Sequence, residues 1–106
     1  MREDKYKVDV LPAAYNKLNA HTHFIAQVSV GAAEKFYDDF NKSIESLKAN
    51  PGMYPVYNLK KPIEGVRFHC KLFHKERYRI VFRIIDNSVF IYDIQDCRQD
   101  IGRYLV

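Results

Sequence analysis

Ala33, Phe36, Tyr37, Phe40, Ile44 and Leu47 recur at spacings of three and four, which places them on one continuous stripe of an α-helix. A stripe of that width must be buried against a second layer, so the rest of the chain has to supply one. Asn50-Pro51-Gly52 stops the helix, because proline cannot continue it and glycine closes it readily. Farther on, apolar and polar residues alternate through Val66 to Phe73, Tyr78 to Ile84 and Val89 to Ile94, the period of a strand. His74-Lys75-Glu76-Arg77 joins the first two runs and Asp86-Asn87 the last two, which predicts a meander of two hairpins.

Upstream, Tyr6, Val8 and Val10 alternate with Lys5, Lys7 and Asp9, which predicts a short strand over Lys5 to Leu11. Pro12 suits the first turn of a helix, where its missing N–H is not needed. Ala14, Leu18, Ile25 and Val28 give that helix one apolar side, up to a break at Ser29-Val30-Gly31. Met53 to Glu64, with Pro55 and Pro62, reads as a loop. The expected order is β-α-α-β-β-β: an α+β fold with a two-helix hairpin on one face of a small, mainly antiparallel sheet. With 106 residues, 47% hydrophobic and rich in Tyr and Phe, residues 1–106 are expected to form one domain around one core. A tail from Asp96 to Val106 is expected to add a last helical turn.

Alternation also assigns faces. Phe68, Cys70 and Leu72 are expected under the helices with Tyr78, Ile80, Phe82 and Ile84, because those positions carry the apolar series. The opposite face would then carry Arg67, His69, Lys71 and Phe73 beside Arg79, Val81 and Arg83. The charge distribution points to the same region. Residues 1–53 hold 7 basic and 7 acidic side chains, whereas Lys60 to Arg83 hold 8 basic and 2 acidic, within a net charge of +4. A concentrated basic segment suggests a polyanionic or acidic partner, nucleic acid or protein. The same excess is also an ordinary way to keep a small protein soluble.

Clustered Arg and Lys hold phosphates through charge-assisted hydrogen bonds and stabilise a phosphorane. His69 lies between Arg67 and Lys71, and cationic neighbours favour a neutral imidazole suited to act as general base on a ribose 2′-hydroxyl in metal-free RNA cleavage. The alternative is that these side chains are the solvated face of an antiparallel sheet. His21-x-His23 does not make a metal pair, since positions i and i+2 of a helix point to different sides, and no cofactor or metal is expected. Cys70 is expected in the core and Cys97 just beyond the last strand, neither in a nucleophile arrangement. Tyr104 either stacks on a base beside the basic face or anchors the tail. Two cysteines without a Cys-x-x-Cys or a secretory leader predict free thiols in a reducing compartment, the cytoplasm. No apolar run approaches the ~20 residues of a membrane helix.

Several strings, in this order, resemble the RelE/ParE superfamily of small bacterial toxins from type II toxin–antitoxin modules. Tyr78-Arg79-Ile80-Val81-Phe82-Arg83-Ile84 followed by Asp86 resembles the family's Tyr-Arg central strand. Ala32-Ala33-Glu34-Lys35-Phe36 through Ile44-Glu45-Ser46-Leu47 and Asn50-Pro51 resembles the ParE-type helical hairpin. Gly65-Val66-Arg67 is similar to the lead-in of the second strand, and Cys97-Arg98-Gln99-Asp100-Ile101 to the closing motif with two substitutions.

The resemblance implies one of two activities. RelE-like members are ribosome-dependent endoribonucleases that cut mRNA, whereas ParE-like members poison DNA gyrase without being enzymes. By position, the nuclease reading implies Arg79, which matches the central-strand Arg that contacts the scissile phosphate, Arg98, which matches the Arg after the last strand, and His69 and Lys71 from the second strand as catalytic residues, with Arg67, Arg83 and Tyr104 as RNA-binding residues. The ParE-like reading implies a binding surface in their place, and a third possibility is an inactive member that only binds an antitoxin. A cognate antitoxin is the implied partner in every case, with the ribosome and mRNA, or alternatively gyrase, as target; no membrane role is implied.

Overall fold

The computed structural model describes residues 5–98. Strand β1 (Lys7–Val10) leads into helices α1 (Pro12–Ala26) and α2 (Val30–Ala49), and a 3-10 turn at Pro51–Met53 follows. Strands β2 (Val56–Tyr57), β3 (Phe68–Phe73), β4 (Tyr78–Ile85) and β5 (Ser88–Asp96) complete the order. The sheet runs β1-β5-β4-β3-β2, with β1 parallel to β5 and every other pair antiparallel. The expected α+β architecture of two helices on a mainly antiparallel sheet is present, enlarged by one strand. β2 lies within the segment read as loop; its two residues pair with His69 and Phe68, too short a run to show a period.

Local chemistry explains the helices. Pro12 opens α1, and Ala14 and Leu18 are its buried residues. α1 ends at Ala26, so Val28 falls in the connecting turn at 87% exposure and does not extend the apolar side. Ser29 is not part of a break but the cap of α2: its hydroxyl accepts from the Ala32 amide at 3.1 Å, satisfying one of the free donors of the first turn. Ala33, Phe36, Phe40, Ser43 and Leu47 are the buried stripe, with Tyr37 and Ile44 packed at its margin.

Tyr78, Ile80 and Phe82 of β4 and Val89, Ile91 and Ile94 of β5 meet Phe36, Leu18 and Leu47 in the core. Ile91 and Ile94 are three apart, yet both are fully buried. The pairing moves from Val81↔Asp93 to Phe82↔Ile91, so Tyr92 is an extra residue in β5 and resets the alternation. Phe36 anchors a ring cluster, with Tyr78 at 4.8 Å and Phe73 at 5.3 Å between centroids.

The register of β3 overturns the expected faces. Phe73 stands directly opposite Tyr78, Lys71 opposite Ile80 and His69 opposite Phe82, whereas Leu72 faces Arg79 and Cys70 faces Val81. Directly opposed residues share a face. His69, Lys71 and Phe73 therefore lie on the helix side, and Phe68, Cys70 and Leu72 on the outer side with Arg79 and Arg83. The four-residue turn His74 to Arg77 fixes this parity. His74, Lys75 and Glu76 all have positive φ (54°, 58° and 62°), which holds the turn tight enough to pair Phe73 with Tyr78. Because β3 is apolar on both faces, its own alternation does not reveal a slip of one residue.

Candidate functional site

Arg79 is the centre of the outer face. Its guanidinium lies 5.7 Å from the centre of the Tyr57 ring, and its buried Nε has no hydrogen-bond partner. Tyr57, buried on the two-residue strand β2, donates its hydroxyl to Gln95 Oε1 at 3.3 Å. The pairing places Gln95 beside Arg79 on the neighbouring strand. Beside Arg79 opens a cleft of about 510 Å³ lined by Tyr54, Pro55, Cys70, Leu72, Glu76 and Arg79, with Lys71 at its edge. Leu72 projects there at 43% exposure. Cys70 lies on this outer face and not in the core as expected; burial still pushes its thiol above the ordinary value, against the opposing pull of the Arg79 charge. Farther along, the Arg83 guanidinium lies 6.0 Å from the Phe68 ring centre, and Phe68 meets Tyr92 edge to face at 5.1 Å.

His69 and Lys71 belong to the other face of β3, although Lys71 also reaches the edge of the cleft. The His69 ring stacks on core Phe82 at 5.7 Å, and its Nδ1–H donates to the Tyr54 carbonyl at 3.0 Å. Lys71 donates to the Leu72 carbonyl at 3.2 Å, with its ammonium 5.2 Å from the Tyr54 ring centre. The expected convergence of His69 and Lys71 with Arg79 and Arg83 on one face is thus corrected by the strand register. Arg67 precedes β3 and is exposed, lining a shallow cleft with Val56, Asn58 and Pro62.

Arg98 belongs to a third location. Its Nε and a terminal nitrogen grip both oxygens of Asp96 at 3.0 Å, and that nitrogen also donates to the Tyr78 hydroxyl at 3.2 Å. Burial alone would raise the Asp96 carboxyl, but the Arg98 hydrogen bonds and charge outweigh it and hold the group below the usual carboxylate range. The Tyr78 hydroxyl is pushed up, first by burial and then by the Asp96 charge. His21 closes the cluster: its Nε2–H donates to the Ile94 carbonyl at 2.8 Å, and its ring meets Tyr78 edge to face at 5.2 Å. Tyr104 and residues 99–101 of the closing motif lie outside the described residues.

Of the expected residues, the outer face carries Arg79 and Arg83; the sequence reading did not single out Tyr57, Gln95 or the Asp39–His74 pair, in which His74 Nδ1 and Asp39 Oδ2 are 2.9 Å apart. Tyr57 sits in a run too short to read, and Asp39 and His74 are 35 residues apart. Among the described residues no group of three His, Cys, Asp or Glu is placed to hold a metal ion.

A family model described as the ParE toxin of a type II toxin–antitoxin system, parDE, matches residues 8–101. The chain belongs to the ParE toxin family. The fold agrees with that membership. A structure titled as the chromosomal ParDE TA system from P. aeruginosa is similar at a TM-score of 0.63 and 16% identity, over 87% of this chain and 96% of that one. The archaeal RelE-RelB complex from Pyrococcus horikoshii OT3 is similar at a TM-score of 0.55 and 12% identity, over 91% and 99%. At these identities the likeness shows the fold. No curated protein matches the chain. Among the described residues of this ParE-family toxin, no helix is long and apolar enough to cross a membrane.

Proposed function

We propose that this ParE-family toxin acts by binding and not by cutting RNA, that its target is DNA gyrase, and that a cognate antitoxin neutralises it. The observation that carries this reading is the β3–β4 register: it places His69 on the face opposite Arg79 and Arg83, so the candidate base is separated from those cations. A general base must stand within hydrogen-bond reach of the proton it removes, beside the cations that hold the phosphate. Here the histidine stacks on Phe82 and donates to a backbone carbonyl on the helix side, while Arg98 is engaged by Asp96 elsewhere. What remains on the outer face suits docking: Leu72 exposed beside Arg79 at an open cleft, and Phe68, Tyr92 and Arg83 next along the sheet. Aromatic residues and Arg are the side chains that anchor protein interfaces.

Family membership supports the gyrase reading, since the resemblance implies that activity for ParE-like members. The antitoxin is supported by the two similar structures, one titled as a ParDE system and the other as a RelE-RelB complex. The test is expression without antitoxin, with pulse labelling of DNA and protein synthesis and inspection of messages. DNA synthesis is expected to fall first while messages stay intact, and the variant His69→Ala is expected to keep its toxicity. Early arrest of translation with cut messages, lost in that variant, would refute the proposal and restore the nuclease reading.

A further inference from the structure

A second cleft, of about 480 Å³, lies between α2 and the β3–β4 turn and shares Lys71 with the first. Lys35, Lys42, Lys71 and Lys75 line it, with Asp39 as the one carboxylate of the lining. That carboxylate is already satisfied. Lys35 binds one oxygen and His74 the other, each at 2.9 Å. Burial pushes the Asp39 carboxyl up, but the hydrogen bonds from Lys35 and His74 outweigh it, so the group stays charged and occupied. Lys71 has a backbone carbonyl and the Tyr54 ring as neighbours, and no ion pair to Lys42, Lys71 or Lys75 occurs among the described residues. Three ammonium groups therefore share one concavity without a counter-charge.

Lys35 and Lys42 are seven residues apart on α2, which separates them by about 10 Å along the helix axis on one side. Lys75 is presented by a turn with three successive positive-φ residues, and the Asp39–His74 bond ties that turn to α2. Such backbone is costly to hold, and here the clamp fixes the position of a charge.

We propose that this lysine-lined cleft binds the phosphate backbone of duplex DNA without reading its sequence. The cations are all lysines, which meet phosphate as point charges, and none is an arginine fork of the kind suited to carboxylates. An acidic peptide would need an apolar anchor, but the aromatic residue of the lining, Phe73, is 5% exposed and belongs to the core. Single-stranded RNA would need a base-stacking platform. The nearby ring, Tyr54, is covered by Lys71, and its hydroxyl is taken by Ser46. A duplex backbone asks for neither anchor nor platform.

This inference does not depend on the gyrase reading, because its readout is direct binding and not toxicity. The 106-residue chain is titrated against fluorescently labelled duplex DNA by anisotropy across a salt series. Neutralising three phosphates predicts a slope of log affinity on log salt of about −2.7. The variant Lys42→Gln, Lys71→Gln and Lys75→Gln is expected to remove most of that slope. Lys60→Gln with Lys61→Gln and Arg67→Gln removes the same charge elsewhere and is expected to leave it nearly unchanged. An equal loss in both variants would reduce the effect to net charge and overturn the proposal. So would tighter binding of single-stranded RNA, or of a glutamate-rich peptide, than of duplex DNA.

Discussion

Under the helices the sheet presents Tyr78, Ile80, Phe82, Val89, Ile91 and Ile94, each at most 1% exposed, whereas the outer face of the same strands carries Phe68, Arg79, Arg83, Leu72 and Tyr92, half-buried or exposed. The inner set is held by close packing against Phe36 and Leu18. The outer set is ordered by contacts of a guanidinium over a ring and of ring against ring, each worth about 1 kcal/mol or less. Stability is therefore concentrated on the helix side, with a smaller buried patch of Val81, Tyr57 and Gln95 on the other, and the exposed remainder of that side is free to serve recognition. Phe82→Ala should cost ~3–5 kcal/mol through its lost burial and the cavity left behind. Phe68→Ala should cost less than half as much. Urea denaturation of the two variants compares them, and equal losses would break the contrast.

The next largest effect tests the rim between these faces. Asp96 holds Arg98 through both carboxylate oxygens, and the native carboxyl lies below the ordinary range because those bonds outweigh burial. A carboxyl depressed in the folded state contributes stability above its unfolded pKa, and loses it as pH falls through the folded value. The contribution should thus be complete at neutral pH and decline from about pH 4 downward. Asp39 has the same sign and adds to the slope. Asp96→Asn should cost ~1–2 kcal/mol at pH 7, a discounted figure because half of the Arg98 side chain is in water. Melting curves at stepped pH should show a shallower acid slope in this variant, and parallel slopes would refute the role of the pair.

The same contrast explains what could be read in the sequence. β4 was legible because Tyr78, Ile80 and Phe82 alternate with Arg79 and Arg83, so charge marks the outer side. β3 was not, because Phe68 and Leu72 on one face compete with Phe73 on the other, and the deciding information lies in a turn whose three positive-φ residues are not glycines. Ordinary propensity gives no sign of such a turn. Helix α2 was legible from its stripe, and its start was missed by reading Ser29 as a breaker when its hydroxyl is a cap. The expected convergence on one face is absent for the β3 reason: one slip of register carries His69 and Lys71 to the other side of the sheet. The Asp39–His74 clamp was invisible because long-range polar pairs leave no local period.

A smaller change probes the centre of the outer face. The buried Nε of Arg79 has no partner, which is unfavourable, while its guanidinium gains from the Tyr57 ring. Arg79→Met removes both and keeps most of the volume. Stability should stay level or rise by ~1 kcal/mol, since an unsatisfied buried donor costs more than a single cation–ring contact returns. A clear loss in thermal melting would show that the guanidinium supports the sheet, and the outer face would no longer count as the side spared by stability.

The smallest expected effect on folding carries the largest functional consequence. Leu72 is 43% exposed on the outer face beside Arg79, outside the core cluster, so Leu72→Glu should change stability by no more than ~0.5 kcal/mol. An apolar side chain exposed at the mouth of a cleft is where a partner surface would bury area, and a carboxylate there would have to be desolvated against that partner. If the outer face engages the target, Leu72→Glu abolishes toxicity while its denaturation curve overlays that of the unaltered chain. Glu34→Gln, an exposed position of α2 outside both clefts, then serves as the matched surface change and keeps toxicity. Full toxicity in Leu72→Glu would remove the outer cleft from target recognition, and the division between a face that holds the fold and a face that serves function would fail at its most exposed point.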